Sequence, residues 1–246
     1  MQMETPLTFR TEIKRSIRRL GFDVRRYRPD SCDDARMYSV LSAHHVNLVF
    51  DVGANSGQFG GLLRDIGYTG RIVSFEPLLE PRETLMNRSS GDALWEVAPR
   101  AAIGDQDGEI EIHIAANSVS SSVLAMLDSH LKAAPASAYI GSERLPIRRL
   151  DSIGREYVRA DSVLFVKIDT QGFEYQVLDG APELLDRAVG VQLELSLVPL
   201  YEGQCLCDEL IQRLRKISFE PWTIAPAFAD SRTGRLLAVD ATFFRT

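Results

Sequence analysis

VNLVFDVGANSG, residues 46–57, reads as a buried β-strand running straight into a glycine-hinged turn. Its first nine residues are mostly apolar and rich in β-branched side chains, as a strand covered on both faces requires. Immediately downstream, Phe59, Leu62, Leu63 and Ile66 recur at i, i+3, i+4 and i+7, which is one face of a helix that Gly67 and Gly70 end. RIVSFEP (71–77) follows as a second strand, then a helix over about residues 80–88 and a third strand within 94–103. Strand–helix alternation of this kind predicts an α/β fold with a doubly wound, mostly parallel sheet.

Beyond that point the rhythm changes. GEIEIHIA (108–115) alternates polar and apolar residues and predicts a half-exposed strand outside the buried sheet. Ser118 and Ser120 to Ser122 then form a flexible loop suited to substrate contacts. SVLFVKIDT (162–170) is a fourth parallel strand, followed by a short helix at 174–178 and a second one opened by Pro182. VGVQLELS (189–196) is the fifth strand, and Leu206, Leu210, Leu214 and Ile217 mark the next helix. Residues 220–229 and 236–245 close the chain as an antiparallel hairpin.

The net charge of −6 conceals a local surplus of bases. Residues 8–28 carry Arg10, Lys14, Arg15, Arg18, Arg19, Arg25, Arg26 and Arg28 against Glu12 and Asp23. The remainder is therefore strongly acidic, which excludes a general nucleic-acid binder, since a phosphate backbone selects a broad basic surface. Phe9, Ile13, Ile17 and Leu20 give the basic segment an apolar helical stripe. The favoured reading packs that stripe on the domain; the other lays it on an anionic membrane. No apolar run reaches the roughly 18 residues of a membrane span, and the N-terminus lacks a signal-peptide core. Cys32, Cys205 and Cys207 are odd in number, as expected of a reducing, cytoplasmic setting.

The glycine-hinged turn lies where doubly wound sheets bind ligands, beyond the carboxyl ends of the strands. A dinucleotide fingerprint places glycines where this chain has Gly53, Asn55 and Gln58, and no P-loop lysine follows, so nucleotide phosphates are poorly served. The turn supplies a carboxylate instead. Asp51 can pair with an ammonium, Glu76 can accept both hydroxyls of a ribose, and Asp105 is placed for an adenine edge. With Gly53, Asn55, Gly57, Pro77 and Ala102 they make an expected site for S-adenosylmethionine. Asp51 could alternatively cap the turn and touch no ligand.

FDVGANSGQFG, SFEP, AAIGD with DGEIEIH, and VKIDTQGFEYQVLDGA, in that order, resemble the FkbM family of S-adenosylmethionine-dependent methyltransferases over residues 46–197. The resemblance implies a Rossmann-like sheet of the class I methyltransferase type. The chain reads as one compact domain overall, with a basic helical extension at residues 1–45 and the methyltransferase domain at 46–246. Gln171 departs from the family's KIDxEGxE pattern, which has glutamate there. The implied reaction is O-methylation of a sugar hydroxyl on a glycolipid or glycosylated metabolite. A polyketide or other small-metabolite acceptor, and a non-catalytic cofactor-binding module, are the alternatives.

An alcohol is a poor acid, so the reaction calls for a nearby base or bound cation. Asp169, ending VKID, is the first candidate base or metal ligand. Lys167 shares its face of the strand and can hold it ionised; Glu174 and Glu194 complete the candidate catalytic side. A divalent cation on these carboxylates is compatible with the sequence without being required. A lipid-linked acceptor would place the protein at the inner membrane face through residues 8–28.

Overall fold

The computed structural model describes residues 7–246 and side chains from Thr11 onward, so the side chain of Phe9 lies outside the described residues. The elements are α1 (Leu7–Arg19), α2 (Asp33–Ala43), β1 (Leu48–Val52), α3 (Gln58–Asp65), β2 (Arg71–Phe75), α4 (Leu79–Ser89), β3 (Trp95–Val97), β4 (Ala102–Gly104) and β5 (Gly108–Ala115). The chain continues through α5 (Asp128–Ala133), β6 (Tyr139–Arg149), α6 (Leu150–Gly154), β7 (Leu164–Ile168), α7 (Glu174–Asp179) and α8 (Pro182–Arg187). It ends with β8 (Ala188–Ser196), α9 (Cys207–Lys216), β9 (Phe219–Ala229) and β10 (Leu236–Arg245).

Seven strands form one sheet in the order β3-β2-β1-β7-β8-β10-β9. The first five are parallel, and β10 runs antiparallel to both β8 and β9. Every residue of β1 and β7 is buried, because helices cover both faces. Alternate residues feed opposite layers. Phe50, Val166 and Ile168 pack with Val177, Leu184 and Leu214 on one side; Val49, Ile72 and Phe165 pack with Leu63, Leu85 and Trp95 on the other. α2, which the sequence placed in the extension, adds Val40 and Leu41 to that second layer.

Three expectations change. The third strand ends at Val97, just before Pro99, which has no N–H to continue a ladder. Ala102–Gly104 instead becomes β4 of a separate three-stranded sheet, β4-β6-β5, whose middle strand β6 the sequence did not announce. The serine loop is tied to its neighbours by hydrogen bonds: Ser121 Oγ accepts from Ala115 N at 3.0 Å, and Ser122 Oγ donates to Gln171 O at 2.7 Å. Finally, α1 does not pack its stripe on the domain. Ile13 is 43% exposed and Leu20 75% exposed, with Phe22, Val24 and Tyr27 also open. No helix among the described residues is long and apolar enough to cross a membrane.

Candidate active site

The turn after β1 is built on left-handed backbone at Gly53 (φ +75°), Asn55 (φ +45°) and Gly57 (φ +80°). Gly53 is there for space as well as for conformation. A Cβ on it would lie 1.8 Å from the carbonyl oxygen of Asp169, while Asp169 N donates to Val52 O at 3.0 Å. The glycine therefore lets the ends of β1 and β7 close on each other. Gly53 N and Ala54 N both donate to Phe75 O, tying the turn to β2.

Glu76, just past β2, is 4% exposed. Its carboxylate accepts from Asn55 N at 2.7 Å and from Leu78 N at 2.8 Å. Burial pushes its pKa up to about 7, against the opposing pull of these two N–H groups. Together these residues rim a cavity of about 350 Å³, lined by Gly53, Asn55, Glu76, Pro77 and Ala102 at one end and by Lys167 and Asp169 at the other. Phe59, Leu62, Phe75, Leu78 and Ile112 give it apolar walls, and the small sheet with its serine loop roofs it.

The donor set suits a nucleoside that carries an amino acid. It offers a carboxylate for a diol, apolar walls for a base, and no phosphate cradle. Its one lining lysine already faces two carboxylates. The profile of the Methyltransferase FkbM domain matches residues 51–221, most of the chain. This chain belongs to the FkbM methyltransferase family. S-adenosylmethionine is its methyl donor, and it is a methyltransferase. No curated protein matches it. At the level of fold it is similar to the 1,6-didemethyltoxoflavin-N1-methyltransferase of Burkholderia thailandensis, solved with S-adenosylhomocysteine (13% identity, 100% of this chain and 92% of that one, TM-score 0.44). Precorrin-6y C5,15-methyltransferase of Geobacter metallireducens (10%, 85% and 87%, TM-score 0.43) is similar in the same sense. So is a SAM-dependent methyltransferase of Aquifex aeolicus (10%, 87% and 90%, TM-score 0.42).

Not every expected residue of this FkbM methyltransferase reaches the cavity. Asp51 does not line it: the side chain is wholly buried, with Lys167 Nζ 3.2 Å from Oδ1 and Ser74 Oγ donating to Oδ2 at 3.4 Å. The reason is strand register. Asp51 sits opposite Lys167 on the face shared with Val49 and Phe165, so its carboxylate meets the ammonium of β7 rather than a ligand. Asp105 also stays outside, exposed beyond β4, because that strand left the large sheet. Gly57 shapes the turn without lining the cavity; its carbonyl accepts from Arg88 at 2.9 Å.

At the other end, Lys167 Nζ stands 3.4 Å from Asp169 Oδ2 and donates to Gly53 O at 3.3 Å. Burial disfavours the ammonium, yet Asp169 and Asp51 outweigh it and hold the lysine above its ordinary pKa. Asp169 Oδ1 accepts from Gln171 Nε2 at 2.8 Å, and the same amide donates to Glu194 Oε2 at 2.7 Å. Tyr201 OH donates to Gln171 Oε1 at 2.8 Å, which fixes the amide's orientation. Glu174 is the brace beneath: its Oε1 accepts from Thr170 N and Gly172 N, holding the left-handed Gln171–Gly172 pair, and burial pushes it up to about 7. Glu194 lies outside the main cavity, in a side chamber of about 190 Å³ that shares Asp169 and Gln171 with it.

Gln192 and Asp240 also line the main cavity, and the sequence reading passed over both. A lone acid in the otherwise apolar LLAVDATFF was the available signal for Asp240, whose pKa burial pushes up to about 6. Among the described residues no group of three His, Cys, Asp or Glu side chains is disposed to hold a metal ion.

Proposed function

We propose that this FkbM methyltransferase methylates a hydroxyl of a sugar carried on a glycolipid or another glycosylated metabolite. The observation that carries the reading is the pair of carboxylates, Asp169 and Glu194, joined through one amide at the boundary between the cofactor cavity and a second, polar chamber. S-adenosylmethionine, when bound, supplies an electrophilic methyl on a positively charged sulfur that leaves as a neutral thioether.

The chain's own groups do the rest. Glu76 accepts the ribose hydroxyls, Pro77 and Ala102 cover the base, and the Gly53–Asn55 turn holds the amino-acid end. Gly57 sets that turn, and Asp51 acts at one remove by pairing with Lys167. Lys167 pairs with Asp169 and fixes its carboxylate toward the shared wall. A carboxylate of the Asp169–Glu194 pair receives the proton of the attacking hydroxyl, which raises the nucleophilicity of its oxygen. Holding both reactants rigidly supplies the remaining advantage.

The exposed α1 supports a lipid-borne acceptor. Its bases and the open Leu20, Phe22, Val24 and Tyr27 just beyond it form a cationic, apolar surface suited to the anionic inner face of a membrane, as a cytoplasmic protein would meet it. Binding to anionic vesicles is expected to weaken by roughly 1 kcal/mol for each base removed, and to fall with salt. Arg18→Glu with Arg19→Glu tests this by vesicle sedimentation. The acceptor itself is tested by mass spectrometry of glycolipids from cells lacking the protein. One sugar should lose a methyl group; a methyl lost only from a non-glycosylated metabolite refutes the reading.

A further inference from the structure

The second chamber has the makings of a ligand site in its own right. Its lining combines Ser120, Glu194 and His130 with the Phe228 ring. His130 is 3% exposed, yet its Nδ1 has no hydrogen-bond partner, and burial pushes its pKa down to about 4, so the ring is neutral. Phe228 and Tyr201 bracket that imidazole, with ring centroids 5.1 and 5.2 Å away. A buried nitrogen without a partner is an unmet acceptor or donor that a hydroxyl can satisfy. An aromatic ring beside neutral polar groups is the surface on which a pyranose lays its C–H face.

The two carboxylates at the dividing wall are unequal. Asp169 is satisfied on both oxygens, with Lys167 on Oδ2 and Gln171 on Oδ1. Glu194 has one such partner, Gln171 on Oε2, and no cation against it. We propose that this chamber receives the sugar hydroxyl of the acceptor, and that Glu194, rather than Asp169, is the catalytic residue that takes its proton. The inference rests on the sugar O-methylation reading above. The hydroxyl's O–H bond breaks, its proton passes to Glu194 as the oxygen bonds to the methyl carbon, and the carbon–sulfur pair stays on sulfur. Asp169 and Gln171 are positioning residues: the lysine-bound carboxylate fixes the amide, and the amide fixes Glu194. The charge environment agrees. Burial, then Asp169 after β7, Glu174 on α7 and Asp240 on β10, raise Glu194 well above the ordinary carboxylate range against the opposing pull of Lys167. His130 on α5 and the Tyr201 hydroxyl, the other titratable groups that face it, are uncharged. A base raised in this way is better matched to neutral pH than an ordinary carboxylate.

The test uses the full chain and its Glu194→Gln, Asp169→Asn and Phe228→Ala variants. S-adenosylhomocysteine binding by titration calorimetry reports the cofactor cavity. Saturation-transfer NMR on a panel of methyl hexopyranosides, with the homocysteine ligand present, reports the chamber. Carboxyl-carbon NMR on glutamate-labelled protein reports the titration. Glu194→Gln and Phe228→Ala should hold S-adenosylhomocysteine affinity within about twofold and weaken the sugar signal at least fivefold. The resonance that vanishes in Glu194→Gln should titrate above ordinary glutamates and move to lower pH in Asp169→Asn, which removes a neighbouring negative charge. A sugar signal unchanged by both chamber variants, no sugar signal in the wild-type complex, or a Glu194 resonance that titrates normally overturns the inference. Failure of the wild-type protein to bind S-adenosylhomocysteine refutes the functional reading itself, so the two failures are distinguishable.

Discussion

Replacing Lys167 by methionine removes one ammonium and leaves two carboxylates behind it. Asp169 is about a third exposed and can turn to water, whereas Asp51 is wholly buried and keeps only the long Ser74 contact at 3.4 Å. An unpaired buried charge of this kind costs about 3–5 kcal/mol. For a chain of this size each kcal/mol shifts Tm by about 2–4 °C, so Lys167→Met should melt roughly 6–20 °C below the wild-type protein. The loss has a defined pH signature. Burial already raises the carboxyl of Asp51, and removing the lysine raises it further. Stability linked to a raised carboxyl is full below its unfolded pKa and is lost as pH climbs through the folded one. The deficit of Lys167→Met should therefore be largest at neutral pH and shrink on acidification, as Asp51 takes up a proton. Adding Asp51→Asn removes the stranded charge and should recover on the order of 2 kcal/mol. Urea unfolding at several pH values measures both effects. A single variant within about 1 kcal/mol of wild type at neutral pH, or a double variant no better than the single, refutes the account.

Other consequences are open to measurement. Gly53→Ala combines a left-handed backbone, costing about 1–2 kcal/mol, with a methyl driven into the Asp169 carbonyl, and should abolish S-adenosylhomocysteine binding in calorimetry. Glu76→Ala removes the one lining carboxylate at the Pro77 end of the cavity, and at about 1.5–3 kcal/mol for each of its two charged hydrogen bonds to the ribose, S-adenosylhomocysteine affinity should fall by roughly a hundredfold or more. Glu76 and Glu174 both have folded pKa values raised to about 7, so the ligand-free protein should lose stability as pH rises from about 5 to 8. A urea midpoint that increases over that range contradicts the assignment.

The large sheet was legible because both of its defining signals are local. The apolar, β-branched runs of β1, β2, β7 and β8 and the glycine turn between β1 and α3 need no distant partner to be recognised. Of the small sheet, β5 was legible from its alternation as a half-exposed strand outside the large sheet, whereas β6 was hidden for the opposite reason. YIGSERLPIRR carries Gly141, Pro146 and four charges, which describe a loop until β5 and β4 pair with it on either side. The site divides along the same line. Glu76, Gly53 and Asn55 follow from where a strand ends, and they line the cavity as expected. Asp51 does not, because a strand end gives position along the sheet while only alternation gives the face. Gln171, which from sequence looked like a lost glutamate, is the group that ties Asp169, Glu194 and Tyr201 together. That role depends on contacts between β7, β8 and the segment before α9, which one sequence cannot display.

The insertion of β10 between β8 and β9 carries a penalty during synthesis. Until Leu236–Arg245 has been made, β8 presents a long unpaired edge bearing Val191, Leu193 and Leu195, and the nascent chain lacks the strand that delivers Asp240. Such an edge is a template for wrong partners. Newly translated copies thus pass through an adhesive stage, and chaperone supply rather than final stability should govern how much usable enzyme a cell accumulates.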